Sequence, residues 1–137
     1  MADTIQRVEY FKVMVPNSAG TAAKYLAVLK EYRVNLLAFT GFPRAGRAQL
    51  DFVPQDAAAF RKALRKAGLS AGKGRTAFLI QGSDRPGVLE AIAAKVAAAG
   101  VNMTALDAVA AAGRRYGALL WVKPRDVAKT AKALGAR

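Results

Sequence analysis

Between Arg7 and Val15 apolar and polar side chains alternate, with Phe11, Val13 and Val15 on one face. That period of two predicts a strand covered on one side. The period then lengthens: Ala22, Leu26 and Leu29 recur at helical spacing, leaving Lys24, Lys30 and Glu31 for solvent. Two more alternating stretches, residues 35–42 and 47–53, flank Pro43-Arg44-Ala45-Gly46 and predict a hairpin. A second helix follows, with Asp56 as its cap and Ala57, Phe60, Leu64 and Ala67 inward. The unit so defined is βαββα.

The same order of periods returns 67 residues later, without a gap. Phe11 and Val13 fall on Phe78 and Ile80, Gly20 on Gly87, Val34-Asn35 on Val101-Asn102, and Gly46-Arg47 on Gly113-Arg114. Four matches in four separate places mark an internal duplication. In the second copy residues 76–82 predict a strand, and Val88, Leu89, Ile92 and Val96 the stripe of a helix capped by Gly100. Residues 102–110 and 116–122 flank Gly113-Arg114-Arg115 as a hairpin, and Asp126 caps a last helix with Val127, Ala131 and Leu134 inward. A sixth element would complete a βαββαβ unit. In the first copy residues 69–75 run straight into the strand at 76–82, so one long strand serves both copies. In the second copy Arg137 leaves almost nothing for it, and that edge is expected to stay open or to be covered by a partner. The expected division is 1–72 and 73–137, in the α+β class, with helices on one face of antiparallel sheet.

Composition narrows the chemistry. An apolar share of 53%, much of it alanine, suffices for a core with closely packed helices. The net charge of +13 is spread: residues 1–67 carry 11 Lys/Arg against 5 Asp/Glu, and residues 68–137 carry 11 against 4. Such a surface attracts polyanions at low salt. Cysteine and histidine are both absent, which removes disulfides, thiolate nucleophiles, imidazole bases and the usual zinc and haem ligands. The nine carboxylates form no paired motif: Asp3 is terminal, Asp56, Asp84 and Asp126 read as caps, and Glu31 and Glu90 sit on exposed helix faces. No catalytic residue, metal site or cofactor is therefore expected, and the chain does not read as an enzyme. The start, Met1 to Ile5, lacks the pattern of a signal peptide, and no stretch nears the roughly 20 apolar residues that span a bilayer. A cytoplasmic protein without a membrane partner is the expectation.

The segment Gly82-Ser83-Asp84-Arg85-Pro86-Gly87-Val88-Leu89, followed by Ala99-Gly100-Val101-Asn102-Met103, resembles the ACT domain. That family has a strand, an Asp-Arg-Pro-Gly type turn, a helix opening on aliphatic residues, and a Gly-aliphatic-Asn step into the second strand. Two such units in one chain resemble the stand-alone tandem ACT proteins of bacteria. The resemblance implies two ferredoxin-like βαββαβ domains and a small ligand, an amino acid, held between paired domains by the turn of one and the second strand of the other. It also implies a homo-oligomer, a dimer. On physical grounds Asp84 is expected to cap the helix, Pro86 to fix φ in its first turn, and Gly87 to allow close approach of a ligand or backbone. A carboxylate suits the helix N-terminus beyond. Carried over by position, the ligand contacts are Asn17, Ser18, Ala19, Gly20 and Asn35 in the first copy. In the second they are Asp84, Arg85, Pro86, Gly87, Val88, Val101, Asn102 and Met103. The first copy keeps the glycine but lacks counterparts of Arg85 and Pro86.

Two other readings stand beside the sensor. A ferredoxin-like sheet with a basic surface also suits RNA, although Phe52 and Trp121 on the third strands are more typical of core than of base-stacking platforms. A pure association module would instead use Tyr10, Met14 or an open sheet edge. Arg114 and Arg115 at the hairpin tip are candidate phosphate contacts in the RNA reading.

Overall fold

The computed structural model describes residues 3–137. Ten principal elements follow one another: β1 (Thr4–Pro16), α1 (Thr21–Glu31), β2 (Leu36–Arg44), β3 (Arg47–Pro54), α2 (Ala57–Lys66), β4 (Gly74–Ser83), α3 (Val88–Ala98), β5 (Met103–Ala111), β6 (Arg115–Val122) and α4 (Val127–Leu134). The class is α+β with antiparallel strand pairs. Two compact units emerge. Glu9–Arg75 holds the first repeat, and Thr76–Arg137 with the chain up to Val8 holds the second. The repeat alone marks a division near residue 72; in space the lines fall inside β1 and inside β4.

In the first-repeat unit β3 lies between β2 and β1, with Phe52 opposite Phe11 on one side and Phe39 on the other. Phe11, Val13 and Val15 point to the same side as Leu50 and Phe52, and there they meet Leu29 of α1 and Phe60, Ala63 and Leu64 of α2. The Phe60 ring stacks at 4.8 Å on Phe11 and lies 5.3 Å from Phe52. Arg61 caps this cluster from solvent, its guanidinium 4.8 Å from the Phe11 ring and 2.9 Å from Glu9. The β2–β3 turn is tighter than the sequence pattern predicts. Ala45 and Gly46 both take positive φ, 50° and 78°, the conformation of a two-residue hairpin turn, so Pro43 and Arg44 extend β2. Proline is tolerated there because β2 is at the sheet edge.

In the second-repeat unit β6 lies between β4 and β5, with Phe78 opposite Leu120 and Asp107 opposite Leu119. Its core joins Phe78, Ile80, Tyr116, Ala118, Leu120 and Val122 to Val88, Ile92 and Val96 of α3 and Ala131 and Leu134 of α4. The leading residues of β1 complete it. Ile5 packs onto this core, Arg7 donates its N–H to the Arg137 carbonyl (2.9 Å), and the Arg137 N–H returns to the Ile5 carbonyl (3.1 Å). The missing sixth strand is thus answered from the other end of the chain, by a β1 that starts at Thr4 instead of Arg7.

Helix ends explain much of the glycine placement. After α3, Gly100 takes φ 74° while the Val101 N–H reaches the Val96 carbonyl (3.2 Å), a left-handed stop. After α1 the same geometry is adopted by Arg33 at φ 56°, with the Val34 N–H on the Leu29 carbonyl (2.8 Å). Asp56 caps α2 as expected, accepting from the Ala59 N–H at 3.1 Å. Asp126 does not cap α4 with its side chain. A 3-10 turn, Pro124–Asp126, leads directly into the helix, and the buried Thr130 hydroxyl donates to the Asp126 carbonyl at 2.7 Å instead.

Candidate functional site

The second-repeat unit carries a concave site where β4 hands the chain to α3. Ser83 ends β4, and the Asp84 N–H donates to the Arg114 carbonyl (2.8 Å), tying the turn to the tip of the β5–β6 hairpin. Arg85 folds back so that its Nη1 donates to the Ser83 carbonyl at 3.2 Å. Gly87 then enters α3 at φ 86°. A side chain at that φ is strained wherever it points, so the turn requires glycine for its backbone and not for space: a Cβ there would meet nothing within 4 Å.

Two expectations for this turn need correcting. Gly87 is the N-cap residue, and no side chain caps α3; Asp84 stands three residues earlier and its carboxylate stays out of the helix end. Pro86 precedes the N-cap, so it shapes the turn and not the first helical turn. The consequence favours binding. The N–H groups of Leu89 and Glu90 have no carbonyl within the helix, and no carboxylate of the turn has taken the helix end.

A pocket of about 250 Å³ opens in front of that helix end. One wall is the turn and first helical residues, Asp84, Arg85 and Gly87 to Glu90; the other is Ala108, Val109 and Ala110 of β5, and Tyr116 also lines the pocket. It has an arginine, two carboxylates, a helix N-terminus and an aliphatic wall. That combination suits a small molecule bearing both charges and an apolar part. The small side chains of β5 leave the room, and Val109, 69% exposed, marks the open rim.

Tyr116 is held from behind. Its hydroxyl donates to Asp3 Oδ2 at 2.9 Å, and the other oxygen, Asp3 Oδ1, is buried without a hydrogen-bond partner. The carboxylate fits because residue 82 is glycine: a Cβ there would collide with it. Burial, together with the bond and the negative charge of Asp3, pushes the Tyr116 hydroxyl up to about 12, and Arg85 opposes this only in part. The phenol is neutral at physiological pH and keeps donating.

Of the residues expected to bind, the pocket brings together Asp84, Arg85, Gly87 and Val88. Pro86 is exposed beside it but does not line it. Val101 is buried in the core, while Asn102 and Met103 are exposed at the start of β5, away from the lining. Leu89, Glu90, Ala108, Val109, Ala110 and Tyr116 also line the pocket, and the turn motif in the sequence does not point to them as ligand contacts. In the first-repeat unit Asn17, Ser18, Ala19 and Gly20 form an exposed turn, closed by a 2.9 Å contact between the Ser18 and Thr21 hydroxyls. Gly20 enters α1 at φ 86°, the value found at Gly87. Asn35 is exposed there and donates to Gln55 Oε1 at 3.3 Å, so it braces the passage from β3 to α2. Among the described residues no three His, Cys, Asp or Glu side chains gather as a metal site, and no helix is long and apolar enough to cross a membrane.

No protein-family model matches the chain, and no curated protein matches it. Solved structures do. A protein from Bacteroides thetaiotaomicron superposes with a TM-score of 0.81 at 18% identity, over 96% of this chain and 88% of that one. The ligand-free regulatory subunit of aspartate kinase from Thermus thermophilus gives 0.67 at 17% identity, over 98% and 96%. The regulatory subunit from Thermus flavus gives 0.62 at 18%, over 98% and 94%. The fold is ACT-like. At such identities the likeness carries the fold alone. Within an ACT-like unit the pocket lies between the turn before the first helix and the second strand, here α3 and β5.

Proposed function

We propose that this protein is a non-catalytic regulator built from two tandem ferredoxin-like ACT units, and that it binds an amino acid in the pocket between the α3 turn and β5. The observation that carries this reading is the pocket's lining, with Arg85 and the helix end on one side, Asp84 and Glu90 nearby, and an aliphatic wall opposite. The ligand carboxylate goes to the helix end and Arg85, its ammonium to Asp84 or Glu90, and its side chain against Val88 and Val109. The regulatory subunits among the structural neighbours lend support to a role exerted on another protein.

The reading extends to a homodimer. β5 is at the edge of its sheet, is exposed at nearly every position, and carries neither proline nor a basic residue to discourage pairing. A second copy aligned on this edge would close the open rim at Val109 and raise the enclosure of a ligand. Binding then alters the pairing, and a separate client chain in the cytoplasm reads the change through its different affinity for the two arrangements.

A thermal-shift screen of the twenty amino acids tests this. A ligand at a hundred times its Kd adds about 2.7 kcal/mol to the stability of the folded state. One amino acid, or a chemically related few, is expected to raise Tm, and Arg85→Ala is expected to abolish the shift while leaving the unliganded Tm within about 1 °C, since an exposed side chain contributes little. Equal silence from all twenty would remove the amino-acid reading.

A further inference from the structure

The first-repeat unit has a sheet face turned away from its helices, on which Gln49 and Asp51 are buried, Lys12, Met14 and Thr40 are half-buried, and Phe42, Arg44 and Arg47 are exposed. Phe11, Val13, Leu50 and Phe52 point into the core, so the strand pleat turns Lys12, Met14, Thr40, Phe42, Gln49 and Asp51 the opposite way. The register sorts that face into rows across three strands. Met14, Gln49 and Phe42 form one row; Lys12, Asp51 and Thr40 lie on one side of it, and Arg47 and Arg44 on the other. Phe42 is 42% exposed and so presents ring surface to solvent on this face.

The arginines beside it are anchored and not left to wave in solvent. Arg44 Nη1 donates to Gln49 Oε1 at 2.9 Å, and Arg47 Nη2 donates to the Met14 carbonyl at 3.3 Å. Each guanidinium therefore lies over the face with further N–H groups remaining. Asp51, a carboxylate on this face, is buried, accepts from Gln49 at 3.0 Å, and is compensated by Lys12 and Arg44. Anchored cations around an exposed flat ring on a sheet make the combination that single-stranded nucleic acid requires, with phosphates on the basic rows and a base on the ring. Phe52 and Trp121, two aromatics of the third strands, take no part: Phe52 is in the core and Trp121 is buried.

We infer that this face binds single-stranded nucleic acid, with a base stacked on Phe42 and flanking phosphates on Arg44, Arg47 and Lys12. The site is independent of the pocket in the other unit. Its chemistry selects single strands, because a base within a duplex offers no free face to the ring, and it reads charge and stacking with little sequence preference.

Fluorescence anisotropy of a labelled twelve-nucleotide uridine strand, titrated with the full chain at several salt concentrations, tests it. Phe42→Ala is expected to weaken binding on the order of 5- to 150-fold, the range for losing one base stack. Arg44→Gln with Arg47→Gln is expected to weaken it further and to flatten the slope of log K against log salt by about 1.4, two single-strand phosphate contacts. Lys129→Gln with Lys132→Gln, the same charge change on α4, is expected to leave affinity within about twofold. Absence of binding at low salt, equal affinity of Phe42→Ala and the unaltered chain, or equal loss from the α4 pair and the arginine pair would each overturn the inference.

Discussion

Three residues show how position governs cost in this protein. Gly87 enters α3 at φ 86° with open space where a Cβ would go, so Gly87→Ala strains only the backbone. A loss of about 1–2 kcal/mol in urea unfolding is expected, and Gly87→Asn should lose less, since asparagine tolerates the left-handed region. Tyr116 donates to a half-buried carboxylate, and Tyr116→Phe is expected to cost about 1.5–3 kcal/mol at pH 8. Its folded pKa of about 12 stands above the ordinary 10.0, so its contribution is full below pH 10 and disappears as pH rises to 12. The stability gap between the two proteins should narrow over that window. Asp51 runs the other way. Burial raises its pKa above 3.8, so the charged form is a liability in the folded state at neutral pH, one that falls away as the carboxyl protonates. Asp51→Asn is therefore expected to match or exceed the unaltered chain at pH 7, with the difference shrinking as pH falls through the raised folded pKa and gone well below 3.8.

At the scale of elements, the two repeats solve one problem with different residues. Both α1 and α3 stop in a left-handed turn, but α3 uses Gly100 and α1 uses Arg33 at φ 56°. Arg33→Gly is expected to raise stability by about 0.5–1 kcal/mol, the relief of a Cβ in that region less the added freedom of the unfolded chain. Matched urea curves would measure it, and a loss would mean that the arginine side chain holds something else. The strands and helices themselves were legible, because Phe11 to Val15, Phe78 to Ile80 and the stripes of α2 and α3 keep clean periods. The caps were less so. Nothing in Ser-Asp-Arg-Pro-Gly distinguishes a carboxylate that caps from a glycine that enters the helix already turned. β5 was legible as a strand but not as a wall: with Ala105, Ala108, Ala110 and Ala111 in one run, its sequence offers no alternation to say which side chains face a pocket.

For the whole molecule, the duplication was readable because Gly20 and Gly87, 67 residues apart, keep one backbone conformation. What the sequence hid is that β1 is long enough to serve twice, its first residues meeting Arg137 and its later ones the core of the other repeat. A strand's partner is set by long-range geometry, and Thr4 to Val8 alternate too weakly to announce theirs. If the β5 edge joins two copies, light scattering should give about twice 14.5 kDa, and Val109→Lys should return the mass to 14.5 kDa by placing a charge on that edge. Charge repulsion on this basic surface makes salt a necessary control, since +13 per chain opposes association at low ionic strength.

The central claim, a small amphoteric guest at the mouth of α3, is tested most directly by amide NMR titration with individual amino acids. Saturable shifts are expected at Arg85 and Gly87 to Glu90 together with Ala108 to Ala110, the two segments that line the pocket. Saturable shifts that avoid both segments, or an unchanged spectrum with every amino acid at millimolar concentration, would contradict it.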